Sequence, residues 1–248
     1  MKAAFNLFGT LKNTRSNSGV DSASTVEFSK EMIQSNPQES AKAPRRNRPG
    51  VKFEEAYQWK PLPFDEIDSV FALQEYLQSI IRDDRENITR LLEVPDNQNP
   101  DVWQYEHFKQ ICLELNYLVV QLYSECSKVS CPEMKADEWL YLCAAHPTPQ
   151  GCCAIDYVVH TLDGATAILN SNKYFPSRMN IHETSKKHYQ SIARRLYRIF
   201  AHSWFHHREV FDEFENETFL YARFMALSAK FDLIPNSLII IPDLALSD

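Results

Sequence analysis

A chain of 248 residues has room for one domain with a sizeable core plus a tail, and its five scattered glycines form no GxGxxG or Walker-type phosphate loop. The net charge of −7 is unevenly spread: the first fifty residues hold eight Lys/Arg against four acids, so the remainder carries −11, which repels a nucleic-acid backbone. No run of about 20 apolar residues occurs, which excludes a membrane-spanning helix.

Residues 1–44 are rich in Ser, Asn, Lys and Ala without periodicity and are predicted to be a disordered tail. The short amphipathic stretch Phe5–Leu11 reads as noise, not as a targeting signal, and there is no secretory apolar region. A cytoplasmic chain with reduced thiols is therefore expected, in which the six cysteines form no disulfides and the Asn-x-Thr sites at Asn87 and Asn216 stay unmodified. The cluster Arg45-Arg46-Asn47-Arg48 ends the tail; it reads as a solvated charge run, or more sharply as a contact for an acidic surface or a lipid headgroup.

Helical signals dominate from residue 64. Asp65 or Asp68 is predicted to cap a helix whose apolar positions are Val70, Leu73, Leu77, Ile80 and Ile81. Ile88, Leu91 and Leu92 form a short second piece closed by Pro95. Asp101 is predicted to open a long amphipathic helix carrying Trp103, Phe108, Ile111, Cys112, Leu115, Leu118, Val119 and Leu122. Trp139–Ala145 and Leu162–Leu169 read as further helical pieces. The longest predicted helix is His188–Phe214, and a last one covers Glu217–Phe231. Leu238–Ile241, between Pro235 and Pro242, reads as an extended edge. The fold class is mainly α, a helical bundle.

Two cysteines stand close together in Cys126-Ser-Lys-Val-Ser-Cys131, and the long helix carries His202-Ser-Trp-Phe-His206-His207. Cys₂His₂ is a common structural zinc set. Against that, buried cysteines are often plain core thiols, and a helix histidine is more often hydrogen-bonded than metal-bound. Each helical residue turns about 100°, so residues four apart are about 40° out of line and residues five apart about 140°. That favours His202 with His206; His202 with His207 needs a break or bulge near Trp204. Spacing leaves both pairs open. Four protein ligands would make the site closed and structural, holding two distant helices together.

The blocks Ser-Glu-Cys126…Cys131-Pro, Leu142-Cys-Ala-Ala-His146, Thr161-Leu-Asp-Gly164, Asn172-Lys-Tyr-Phe-Pro-Ser177 and Arg194-Arg-Leu-Tyr-Arg-Ile-Phe-Ala-His202 resemble the Mob/phocein family. Arg45–Gly50 and Phe211–Leu220 are most similar to its phocein branch. The similarity runs from about residue 45, so 45–248 is expected to be the Mob-type domain. The resemblance implies a Mob-type helical bundle with one structural zinc on Cys126, Cys131, His202 and His207, and a short extended element. It makes a helix irregularity near Trp204 an expectation, with His206 as a neighbour of the ligands.

Arg194, Arg195 and Arg198 share one helix face, where like charges oppose helix formation unless an anion answers them. In Mob proteins the matching residues hold a phosphothreonine peptide of Ste20-like kinases; an internal acid such as Glu209 is the plainer partner. Family members that activate NDR/LATS kinases carry glutamates before the helix tryptophan, where this chain has Gln98 and Val102. The resemblance therefore implies a non-catalytic adaptor in striatin-organised assemblies of type-2A phosphatase subunits and Ste20-like kinases, peripheral to Golgi membranes and linked to vesicle traffic. NDR/LATS activation is the alternative within the family. A zinc hydrolase is the alternative of another class; it lacks HExxH and a placed general base. Vicinal Cys152-Cys153 takes no role beyond burial near the core.

Overall fold

The computed structural model describes residues 49–52 and 60–242; the predicted tail, the Arg45–Arg48 cluster and Phe5–Leu11 lie outside them. The chain divides into Met1–Ala56 and Tyr57–Asp248, and every helix and strand among the described residues lies in the second unit.

A 3₁₀ turn, Phe64–Glu66, precedes α1 (Ala72–Asp83). Neither Asp65 nor Asp68 caps α1. Its N-cap is Phe71, without a side-chain cap; Ser69 braces the turn before it, its hydroxyl accepting from Phe71 N at 3.1 Å and donating to Glu75 at 2.6 Å. Val70 consequently lies before the helix and is exposed, whereas Leu77, Ile80 and Ile81 are buried as the spacing predicts. Asn87 caps α2 (Ile88–Leu92) by accepting from Arg90 N.

The central element is α3, Pro100–Leu122, opened by Asn99, whose side chain accepts from Asp101 N, and by a proline in the first turn. Its first half is buried on nearly every side, and α1, α4, α6 and α7 all pack on the helix, whereas Leu113, Asn116, Tyr117 and Val120 form an exposed face in its second half. Each large apolar side chain so buried contributes roughly 1.5–3 kcal/mol. Near its start, Trp103 joins Leu77, Ile80, Ile81 and Leu91 in a small cluster apart from the main core.

The predicted helix at Trp139–Ala145 is absent. Asp137, at φ 52°, turns the chain back, and β1 (Lys135–Ala136) pairs antiparallel with β2 (Trp139–Leu140). Of the paired residues only Trp139 favours a strand, so the left-handed turn at Asp137 sets the hairpin more than propensity does. α4 runs Ala154–Leu169, eight residues earlier than the expected Leu162 start.

The single long helix predicted at His188–Phe214 is two helices, α5 (Glu183–His206) and α6 (Arg208–Thr218). α7 follows at Leu220–Lys230 across Phe219, which is left-handed at φ 51°. Glu215 stabilises that junction by accepting from Tyr221 N at 2.7 Å and Ala222 N at 2.9 Å. Beyond α7, a 3₁₀ turn at Asn236–Leu238 leads into Ile239–Ile241, which has no strand partner among the described residues. The Tyr197 hydroxyl holds it instead, accepting from Ile240 N and Ile241 N.

Two buried polar groups link the helices. Arg223, wholly buried on α7, pairs with Glu114 of α3 at 2.6 Å. His107 donates from Nε2 to the Leu91 carbonyl at 3.0 Å, leaving Nδ1 buried without a partner. Burial, then the nearby Arg223 charge, pushes the His107 pKa down from 6.5 to about 3. Its folded value lies below the unfolded one, so the stabilisation from keeping it neutral is complete above pH 6.5 and is lost as pH falls toward 3. In urea titrations across that window, His107→Gln is expected to flatten the acid loss of stability by up to about 1.4 kcal/mol per pH unit. A slope identical to wild type would count against the assignment.

Candidate metal centre

After α3 ends, the chain passes through a short loop that carries both cysteines. Cys126 N donates to Leu122 O at 2.7 Å, and Ser130 Oγ donates to Glu125 O at 2.6 Å while accepting from Ser127 N. The loop is thus tied to itself and, through Ala154 N and Cys131 O, to the start of α4. Both thiols point toward the end of α5.

There the structure brings Cys126, Cys131, His202 and His207 together, with every potential ligand atom within 4.8 Å of the others. Cys126 Sγ lies 3.5 Å from His202 Nε2, and Cys131 Sγ lies 3.3 Å from His207 Nε2. A tetrahedron with Zn–S near ~2.3 Å and Zn–N near ~2.0–2.1 Å has S···N edges of about 3.5 Å. The donor set fits a four-coordinate zinc.

The outer nitrogens fit as well. His202 Nδ1–H donates to the Lys135 carbonyl at 2.7 Å, and His207 Nδ1–H faces Glu125 Oε2 at 3.4 Å. A carbonyl can only accept, so the His202 proton sits on Nδ1 and the Nε2 lone pair turns inward. This second layer of partners is characteristic of metal-binding imidazoles. Burial lowers the His202 pKa to about 4, which keeps it in the neutral, ligating form. The same burial, with Cys131 beside it, raises the Cys126 thiol to about 12, so a pair of thiolates needs a cation between them.

The helix irregularity sits three residues later than expected. α5 stays regular through Trp204 and ends at His206; His207 itself breaks the helix, at φ −140° and ψ 55°. Its N–H still closes the last turn on Ser203 O. The break swings the His207 ring into the cluster, which a straight helix would leave about 140° away. His206, the better partner on ideal geometry, is exposed and stacks on the His202 ring at 4.9 Å.

The arginines lie about one to two turns before His202 on α5. Arg194 is exposed, its Nε donating to Gln190 O, and Arg195 is half-buried. Arg198 donates to the Tyr157 hydroxyl at 2.8 Å and lies 4.7 Å over the Tyr141 ring. None of the three is paired with an acid among the described residues, Glu209 included. Arg198 separates a concavity of about 260 Å³ that it shares with Arg194, Tyr141 and Tyr197 from one of about 100 Å³ that it shares with Arg195 and His160.

A second group has no counterpart among the sequence expectations. Cys143, His146, Cys152 and His160 also place their ligand atoms within 4.8 Å of one another. Cys152 is thus not a plain core thiol, whereas Cys153 is buried at the start of α4. The signal was present as Cys-x₂-His followed by Cys-x₇-His, but a predicted helix over Trp139–Ala145 hid it.

The Mob1/phocein family model matches residues 79–241 of the chain. The chain is 50% identical over 199 residues to "MOB kinase activator-like 4" of Drosophila melanogaster, covering 80% of this chain and 89% of that protein. It is 49% identical over 199 residues to "MOB-like protein phocein" of Caenorhabditis elegans, with the same coverage. "Maintenance of ploidy protein mob1" of Schizosaccharomyces pombe is 24% identical over 180 residues, covering 67% of this chain and 82% of that protein.

Structural zinc sites contribute about 10–16 kcal/mol in small peptides, as much as the roughly 5–15 kcal/mol that holds a whole domain folded. Cys131→Ser is therefore expected to lose the metal of this centre and its cooperative thermal transition. A variant that melts at the wild-type temperature would refute a structural role.

Proposed function

This chain belongs to the Mob1/phocein family, and from that membership we propose that it is a non-catalytic adaptor, stapled by a zinc ion on Cys126, Cys131, His202 and His207, which reads a phosphorylated kinase segment. The ion would hold the α3 loop to the α5–α6 break. With four protein ligands no position is left for an activated water, which supports an adaptor over a hydrolase.

The observation that carries the binding role is the unanswered arginine charge on α5. Three guanidinia stand on a chain whose residues after the first fifty carry −11, yet no described carboxylate pairs with them. Arginine grips phosphate through two parallel N–H bonds, so a phosphothreonine peptide suits this face. Arg198, held by Tyr157 and Tyr141, is a preset donor at the ridge between both concavities. Arg194 and Arg195 supply charge on either side. Aromatic and aliphatic walls around Tyr141, Tyr197 and Leu238 would take the peptide's apolar side chains.

We place this adaptor in a striatin-organised assembly of type-2A phosphatase and Ste20-like kinase subunits, cytoplasmic and peripheral at Golgi membranes, where it would serve vesicle traffic. No described helix is long and apolar enough to cross a membrane. Activation of NDR/LATS-type kinases is disfavoured by position 102, where Val102 is buried within α3 and faces the core, not a partner.

Arg194→Ala with Arg195→Ala is expected to leave the melting temperature unchanged and to weaken a phosphothreonine peptide at least about tenfold, since each charge-assisted bond contributes about 1.5–3 kcal/mol. Equal affinities in calorimetric titration would assign the face another purpose. Affinity capture from cells, with and without phosphatase treatment, should recover a striatin-type scaffold in both cases and a Ste20-like kinase only without treatment. Recovery of neither sinks the assembly reading.

A further inference from the structure

The loop between α4 and α5 holds an apolar side chain out into solvent. Phe175 and Ile181 anchor the loop in the core, Phe175 meeting the Tyr105 and Tyr189 rings at 5.2 and 5.5 Å. The Ser185 hydroxyl donates to Tyr174 O at 2.6 Å, and Ser177 Oγ accepts from Met179 N at 3.2 Å and Asn180 N at 3.1 Å. On this braced turn Met179 is 80% exposed. A lone exposed apolar residue is ordinary on a protein surface. The charges beside this one set it apart.

Residues 170–188 hold four Lys/Arg against one acid, a local +3 on a body that carries −11. Lys186 is neutralised by Asp101 at 2.7 Å and Glu183 at 2.6 Å. Lys173, Arg178 and Lys187 are exposed and have no carboxylate partner among the described residues. Lys173 lies 5.4 Å over the Tyr174 ring, and Arg178 donates to the Asn170 side chain at 3.3 Å, so both stay free to meet an anion. Lys187 stands where α5 abuts the loop, its neighbour His188 meeting the Tyr174 ring at 4.9 Å.

We propose that this loop is a contact for an anionic lipid surface, in which Met179 enters the boundary between headgroups and acyl chains while Lys173, Arg178 and Lys187 lie against lipid phosphates. Tyr174, half-buried between the two, suits headgroup level, with an apolar ring and a polar tip. A phosphopeptide fits this place less well, because a peptide side chain seeks a hollow and a side chain as exposed as Met179 lines none. Each cation near an anionic leaflet strengthens binding about fivefold, within a reach of about 8–10 Å. One short apolar insertion and three cations make a weak, reversible contact. The inference rests on the peripheral-membrane part of the reading above, not on the arginine face.

The test is co-sedimentation of the full-length chain with vesicles of phosphatidylcholine alone or with about 30% phosphatidylserine. Wild type is expected to bind the anionic vesicles, less so as salt rises, and not the neutral ones. Met179→Asp, and Arg178→Ala combined with Lys187→Ala, should keep the melting temperature and lose vesicle binding at least about tenfold. Met179→Asp should bind the phosphothreonine peptide as wild type does. Anionic vesicles should also slow amide hydrogen exchange across residues 171–182 of wild type, a readout that holds even if a variant misfolds. Vesicle binding together with a diffuse distribution in cells would support this contact and remove only the Golgi address. Wild-type binding that is absent, or equal on both vesicles, overturns the proposal. So does binding undiminished in Met179→Asp, which would assign the contact to Arg45–Arg48, or a loss of phosphopeptide affinity in that variant, which would give the loop to the peptide.

Discussion

Two thiols from the loop after α3 and two imidazoles at the α5–α6 break meet across 76 residues of sequence, and the rest of the domain is arranged so that they do. An interaction closing so long a loop removes much of the unfolded chain's freedom in one step. It also demands that both ends be stiff. The serine hydroxyls of the Cys126–Cys131 loop and the Lys135 and Glu125 oxygens behind the imidazoles supply that stiffness. The hairpin serves the same end: β1 presents the Lys135 carbonyl to His202, and a helix there would keep that carbonyl within its own ladder.

The same junction orients the charged face. Arg194, Arg195 and Arg198 precede His202 on one continuous helix, so fixing the end of α5 fixes their direction. Arg198 is further restrained by Tyr157 of α4 and by Tyr141 beyond the hairpin. A ligand meeting these residues finds them already positioned and loses less side-chain entropy on binding. The arginine ridge is thereby a consequence of the bundle's closure.

Buried polar groups elsewhere serve register. Arg223 and Glu114 bind α7 to α3, and His107 ties α3 to α2 through one carbonyl. Such pairs add little net stability compared with apolar replacements, but they penalise a shifted packing in which a charge loses its partner. Glu215 does the same at the α6–α7 corner, where burial raises its pKa to about 6 even though backbone N–H groups favour its charged form.

Periodicity in the sequence was sufficient for α1, α3 and the helical class, because apolar residues at steps of three and four report one buried face whatever packs on it. The donors Cys126, Cys131 and His202 were legible for a similar reason, as rare residue types in a tight pattern. His207 over His206 came from family resemblance, since a break within one helix turn leaves no periodic trace. The Asn99 cap and the hairpin at Trp139 have local partners and were masked by a nearby acid at Asp101 and by an apparent helical run, whereas the Cys143–His160 cluster was hidden because the Cys143–Gln150 loop must close before its donors meet. Composition and local spacing thus determined that the chain is helical and carries soft metal donors. Tertiary structure decided which imidazole turns inward, how the arginines divide between two hollows and that a second set of thiols meets histidines, because side-chain direction follows backbone angles that only the packed neighbours select.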